Sequence, residues 1–253
     1  MLAAFVACVG AEESLETIFE QYGTDKQADF HGYVHAYSML LGPWRHHVQS
    51  LLEVGIGTVN HSFAANMGTK RNYSTGASLY SWRRYLPNAR IVGLDLDAAA
   101  AAAAADKSLR IEAYGVDTTS GPALAALDLT NGGRSLFDVV IDDGLHTWKG
   151  QQQTLTNLWP LVRPGGFYFI EDVVWGDLTK HATPGGRNPV IDATNPRALA
   201  ILREGGAYSI SLDAFWKTLS KHRFSTIIAL QKPERHWPLH CNSLKGVDCA
   251  HNV

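Results

Sequence analysis

The chain has 253 residues, 45% hydrophobic and 18% charged, with a formal net charge of -2 at pH 7. That length permits one large domain or two small ones with a substantial core. The near-neutral balance, with no block of like charge, excludes the usual marks of a nucleic-acid or membrane-surface binder and favours a small or neutral partner.

The opening residues, MLAAFVACVGAEES, hold a short apolar run with no basic residue ahead of it. This makes a poor signal peptide and is too short to span a bilayer, so the expected compartment is the cytoplasm. The secretory pathway stays open as the alternative, because cleavage of this segment would leave Cys241 and Cys249 to pair. With Cys8 these are the only three cysteines, and they form no CxxC, which argues against a zinc site and a disulfide-dense scaffold.

Residues 1–48 precede the first strand and are expected to form a helical cap on a domain covering 49–253. Six apolar runs then read as strands: SLLEVGIG (50–57), ARIVGLDLD (89–97), LRIEAYGVD (109–117), FDVVIDD (137–143), GGFYFIED (165–172) and FSTIIALQ (224–231). All but the last end in an acid or in Gly-rich turn chemistry. Strands alternating with helical stretches predict an α/β fold, a mostly parallel sheet with helices on both faces, whose ligands gather at the carboxyl ends of the strands.

Between the strands, the alanine run 98–105 predicts a surface helix of low information. Residues 151–159 carry Leu155, Leu158 and Trp159 at a spacing that suits one buried helical face, stopped by Pro160 and Pro164. The stretch 176–196, rich in Gly, Pro, Asn and Thr, reads as a lid or substrate-contacting loop. Trp148, Trp175, Trp216 and Trp237 read first as packing residues and second as stacking surfaces for an acceptor. His181, His236 and His240 have no spacing that suits a tight metal site.

In LLEVGIGTVN the turn glycines Gly55 and Gly57 follow a strand that ends near Glu53, and glycine lets backbone approach a ligand closely. Asn60 stands where a dinucleotide fingerprint has its third glycine, so a nicotinamide cofactor loses ground. Asp95, ending the second strand, suits ribose hydroxyls, and Asp117, ending the third, falls near where an adenine would lie. Each acid alone reads as a strand-end or cap residue; their order carries the weight. That order resembles the class I S-adenosylmethionine-dependent methyltransferases over residues 51–231, which implies a Rossmann-like fold and S-adenosyl-L-methionine as cofactor.

Asp143 and Glu171 end two apolar strands 28 residues apart, and Asp172 follows directly. Parallel neighbours would bring these carboxylates together, where unneutralised anions repel strongly. A divalent cation resolves the conflict, and an all-oxygen set suits Mg²⁺. His146, three residues after Asp143, is the candidate base, because imidazole titrates near neutrality. Asp142 reads as local scaffolding or a helix cap.

The arrangement is similar to metal-dependent O-methyltransferases at large, including the catechol type, in which the base is Lys where this chain has His146. The closer resemblance is to sugar O-methyltransferases of the mycinamicin and tetracenomycin kind, whose DDGxH, EVGxG and acidic segments read here as DDGLH, EVGIG and IED. GTDK (23–26) with His31, Tyr33 and Tyr37, and the stretch 76–95 with Gly76, Ser78 and Trp82, extend it. The resemblance implies Mg²⁺-dependent methylation of a hydroxyl on a small-molecule acceptor, with no nucleic-acid or membrane partner. It places Thr24, Tyr37, Ser78 and Asp143 near the cofactor. VNHSFAANMGTKRNYST departs from the family pattern, and so does the lack of the long N-terminal extension of some macrolide enzymes. Both bear on acceptor size and on assembly into a homo-oligomer. The alternatives are a phenolic or catechol enzyme, in which Lys149 competes with His146, and a catalytically silent accessory protein.

Overall fold

A computed structural model describes residues 12–63, 67, 73–133, 135–173, 195–205, 208–211 and 226–234. Trp175, Trp216, Trp237, His181, His236, His240 and the three cysteines lie outside the described residues, as does 176–194 of the expected loop.

Among the described residues the sheet has seven strands: β1 (Ser50–Val54), β2 (Arg90–Asp95), β3 (Ile111–Gly115), β4 (Phe137–Asp142), β5 (Val162–Ile170), β6 (Tyr208–Ser211) and β7 (Thr226–Gln231). Their order is β3-β2-β1-β4-β5-β7-β6. The first five run parallel, and β7 pairs antiparallel with both β5 and β6. β1 is buried along its whole length inside the sheet, so its apolar residues Leu51, Leu52 and Val54 do not alternate with exposed polar ones. The mostly parallel, Rossmann-like architecture expected from the sequence is therefore present.

Two strand expectations need correction. β5 begins at Val162 and runs through Pro164, because Arg163 and Pro164 are exposed where the register with β4 shifts between Phe137 and Val139. β6 was not expected: YSIS alternates Tyr and Ile with Ser but spans only four residues, the shortest run that such a pattern can mark.

Among the described residues seven α-helices cover the two faces: α1 (Leu15–Tyr22), α2 (Tyr33–Leu41), α3 (Ala77–Tyr85), α4 (Ala98–Ala104), α5 (Gly121–Ala125), α6 (Trp148–Leu158) and α7 (Pro196–Glu204). On one face Trp82 of α3 meets Phe19 and Tyr37 edge-on at 5.1 and 5.0 Å, and Tyr37 in turn meets Phe169 of β5 at 5.0 Å. The helices of the amino-terminal segment are thus built into the sheet's own core. On the other face Leu155, Leu158 and Trp159 pack with Ala198 and Leu202 of α7 against the sheet.

The alanine helix is not the exposed tract expected. Ala100, Ala101 and Ala104 are buried, and a Cβ added at Gly115 would stand 2.4 Å from Ala98 Cβ, one at Gly76 2.7 Å from Ala104 Cβ. Alanine is required there because the backbones approach so closely. Asp97 caps this helix by accepting from the Ala99 and Ala100 N–H groups. Among the described residues no helix is long and apolar enough to cross a membrane.

Candidate active site

A cavity of about 530 Å³ opens at the carboxyl ends of β1 to β4, where the crossover topology leaves a crevice. Thr24, Gly55, Gly57, Ser78, Asp95, Asp117, Asp143, His146 and Asp172 line it. Tyr37, Glu53 and Glu171 do not; all three are buried behind its wall.

The turn after β1 is held in place by its neighbours. Gly55 has φ 79°, and a Cβ there would lie 1.9 Å from the Asp143 carbonyl oxygen; Gly57 has φ 77°, and a Cβ would meet Tyr73 Oη at 1.8 Å. Gly55 is therefore demanded by the chain crossing from β4, in addition to any ligand. Asp95 accepts from the Ile56 N–H at 3.0 Å and the Asp97 N–H at 2.8 Å, so it clamps this turn to the end of β2 while presenting an edge to the cavity. Burial pushes its carboxyl above the ordinary range, against these backbone donors. Asp117, exposed at the rim, accepts at one oxygen from the N–H and hydroxyl of Thr119.

At the acidic end the structure supplies a group absent from the candidate set. Lys26, 2% exposed, puts its Nζ 2.6 Å from Asp143 Oδ2, 2.6 Å from Glu171 Oε2 and 3.3 Å from Glu53 Oε1. Burial alone would pull the ammonium down, yet Asp143, Glu171 and Glu53 outweigh it and hold it well above its ordinary range. Glu53 itself is pushed up to about 7 by burial, against the pull of Lys26. GTDK contained the missing residue; the signal was charge balance, since buried acids need a counter-charge and Lys26 supplies one.

Glu171 departs from its expected role as a cavity-facing ligand. One oxygen accepts from Tyr37 Oη and the other from Lys26, and Gln151 Nε2 donates to its backbone carbonyl at 2.9 Å. Tyr37 correspondingly supports Glu171 instead of facing a cofactor. Asp172 does face the cavity. It sits at φ 46°, a left-handed conformation that Asp tolerates better than most residues, and Tyr33 fixes it there: Oη donates to Asp172 Oδ1 at 2.6 Å and accepts from its N–H at 3.0 Å.

His146 projects from the loop between β4 and α6, its Nε2 3.9 Å from Asp172 Oδ2 and its buried Nδ1 without a hydrogen bond. The cap of α6 is Thr147, whose hydroxyl accepts from the Gly150 N–H at 3.2 Å, so neither Asp142 nor Asp143 caps it. Asp142 is buried scaffolding, accepting from the Gly144 N–H and Tyr168 Oη at 3.4 Å each. Asp143, His146 and Asp172 each offer a ligand atom, and these lie within 4.8 Å of one another. Lys149 lies outside the cavity, its Nζ 5.2 Å over the Trp148 ring.

Residues 66–173 match the family model of a methyltransferase domain. The chain is 30% identical over 175 residues to the mycinamicin VI 2''-O-methyltransferase of Micromonospora griseorubida, covering 68% of this chain and 39% of that protein. It is 30% identical over 185 residues to the demethylmacrocin O-methyltransferase of Streptomyces fradiae, covering 70% and 42%. A tetracenomycin-C rhamnosyl 3'-O-methyltransferase of Streptomyces olivaceus is 32% identical over 160 residues, covering 60% and 35%. The chain thus spans about two fifths of the length of the curated relatives it matches. Among solved structures, the MycE methyltransferase of the mycinamycin pathway, in complex with Mg, SAH and mycinamycin VI, superposes with a TM-score of 0.60 at 21% identity. That match covers 94% of this chain and 58% of the other, and at such identity it speaks for the fold. The fold is the Rossmann-like class I architecture, residues 66–173 match a methyltransferase domain, and the chain is similar to sugar O-methyltransferases of the mycinamicin and tetracenomycin kind.

Proposed function

We propose that the chain is an S-adenosyl-L-methionine-dependent, Mg²⁺-dependent O-methyltransferase acting on a sugar hydroxyl of a glycosylated small molecule. The observation that carries this reading is a single cavity whose wall holds the Gly55–Gly57 turn, Asp95 and Asp117 together with Asp143, His146 and Asp172. The substrate class is suggested by the names of the relatives, a 2''-O-methyltransferase of mycinamicin VI and a 3'-O-methyltransferase of a rhamnosyl tetracenomycin.

In this reading Asp117 lies beside the adenine, Asp95 accepts from the ribose, and Thr24, Ser78, Gly55 and Gly57 enclose the methionine half. Glu53 acts from behind the wall through Lys26. When bound, S-adenosyl-L-methionine would supply an electrophilic methyl group, which would pass to the acceptor oxygen as the carbon–sulfur bond breaks and the thioether leaves. His146 takes the hydroxyl proton. Holding two reactants in line is a large part of such catalysis.

The donor set fits a hard divalent cation. Asp143 and Asp172 present carboxylates to the cavity within 4.8 Å of each other, and Glu171 is adjacent in sequence but turned inward. A cation held there by Asp143 and Asp172 would lower the pKa of the acceptor hydroxyl. Glu171 joins the set only by leaving Lys26 or Tyr37.

The test is transfer of labelled methyl from S-adenosyl-L-methionine to a panel of glycosides and phenols. Transfer to glycosides supports the proposal, transfer to phenols alone favours the catechol-type alternative, and cofactor binding without transfer favours a silent accessory protein. The position of Lys149 outside the cavity already weighs against the phenolic reading, which would use it as base.

A further inference from the structure

Glu53, Asp143, Glu171 and Asp172 carry four negative charges when ionised, against one positive charge on Lys26. Lys26 is thus too little to neutralise the site and too much to be indifferent to a cation: its Nζ is 2.6 Å from the same Asp143 that faces the cavity, and like charges a few ångströms apart repel strongly where water is scarce.

Lys26 is also well anchored. It is 2% exposed, its own N–H lies 3.4 Å from Thr24 Oγ1, and its carbonyl accepts from the Val34 N–H at 2.9 Å, so the backbone behind it is tied to the start of α2. What can move is the ammonium. It has three hydrogens and three carboxylates within 3.3 Å, so releasing Asp143 would still leave Glu171 and Glu53 as partners.

We propose that Lys26 is a resident counter-ion that competes with the divalent cation for Asp143: it holds the buried carboxylates together in the cation-free protein and sets how weakly the site takes the ion. This rests on the reading of Asp143 and Asp172 as a cation site. Lys26 is a positioning residue here, acting on the ligands without touching the acceptor.

The experiment is Mn²⁺ binding, by calorimetry and by electron paramagnetic resonance, to the full chain and to Lys26→Met and Lys26→Arg at pH 8. Lys26→Met, an uncharged side chain of similar length, is expected to bind Mn²⁺ at least about tenfold more tightly, and Lys26→Arg to stay within about threefold of the parent. In thermal melts, Mn²⁺ should raise the midpoint of Lys26→Met by more than that of the parent. A folded Lys26→Met that binds Mn²⁺ no more tightly than the parent overturns the role of Lys26 alone. Failure of both proteins to bind Mn²⁺ overturns the cation reading beneath it. Should Lys26→Met not fold, the ¹⁵Nζ resonance of Lys26 in the parent decides: it is expected to shift as Mg²⁺ is titrated in, and an unmoved resonance at saturation overturns the proposal.

Discussion

The ammonium of Lys26 and the carboxylate of Asp143, 117 residues apart in the chain, form a 2.6 Å ion pair at the floor of the cavity. This pair joins the amino-terminal segment to the carboxyl end of β4, so the helices that precede the sheet help build the site. Removing one partner of a buried pair leaves the other uncompensated, which costs about 3–5 kcal/mol. Lys26→Met is therefore expected to lower stability by that order in EDTA, measured by chemical denaturation, and a loss below about 1 kcal/mol would show that the charge is not needed.

Tyr33 is the hinge on which Asp172 is set. Its hydroxyl both donates to the Asp172 carboxylate and accepts from its N–H, at a residue in a left-handed conformation. Tyr33→Phe is expected to cost about 1–3 kcal/mol of stability, since two bonds go and a part-buried N–H loses its partner. Turnover should fall while affinity for S-adenosyl-L-methionine, measured by calorimetry, changes little.

The two turn glycines with positive φ make a controlled comparison with a third. Gly55→Ala would place a Cβ 1.9 Å from the Asp143 carbonyl oxygen, whereas Gly132, also at positive φ, has nothing within 4 Å. Gly132→Ala is expected to cost about 1 kcal/mol from backbone conformation alone, and Gly55→Ala several kcal/mol or the loss of folded protein. Equal midpoints in thermal melts would contradict this.

On α4 the buried face is expected to refuse bulk. Ala104→Leu, against Gly76, should cost about 1–3 kcal/mol by overpacking, and Ala103→Glu on the exposed face should stay within about 0.5 kcal/mol.

Glu53 gives the fold a pH dependence of definite sign. Its carboxyl, beside Lys26 and in the field of Asp143, is raised from 4.5 to about 7 by burial. A folded pKa above the unfolded one means that the contribution is fully present below about pH 4.5 and is lost as pH rises through about 7. Glu53→Gln should remove this slope, flattening the change in unfolding free energy between pH 5 and 8 by about 1–3 kcal/mol. An unaltered slope would show that Lys26 keeps Glu53 ionised throughout.

The sheet was legible because its strands are short apolar runs ending in acids or glycine turns, and each of the five parallel strands falls within such a run except for the start of β5. β6 was not, because its Tyr–Ser–Ile–Ser alternation is only four residues long. Asp95, Asp117, Asp143, His146 and Asp172 were placed at the cavity because strand ends converge there. The inward turn of Glu171 and Tyr37 was illegible, since it depends on where Lys26 arrives from a segment with no strand or helix pattern of its own. The packing of the alanine helix was hidden for a related reason: seven identical side chains carry no periodicity to show which face is covered.

The most direct test of the account is methyl transfer from isotopically labelled S-adenosyl-L-methionine to a glycosidic hydroxyl, measured before chelation, in EDTA and after Mg²⁺ is restored. The account predicts transfer that stops in EDTA and returns with Mg²⁺, and that falls by about 10²–10⁴ in His146→Ala. Transfer unchanged by EDTA, or near-normal turnover in His146→Ala, would contradict it.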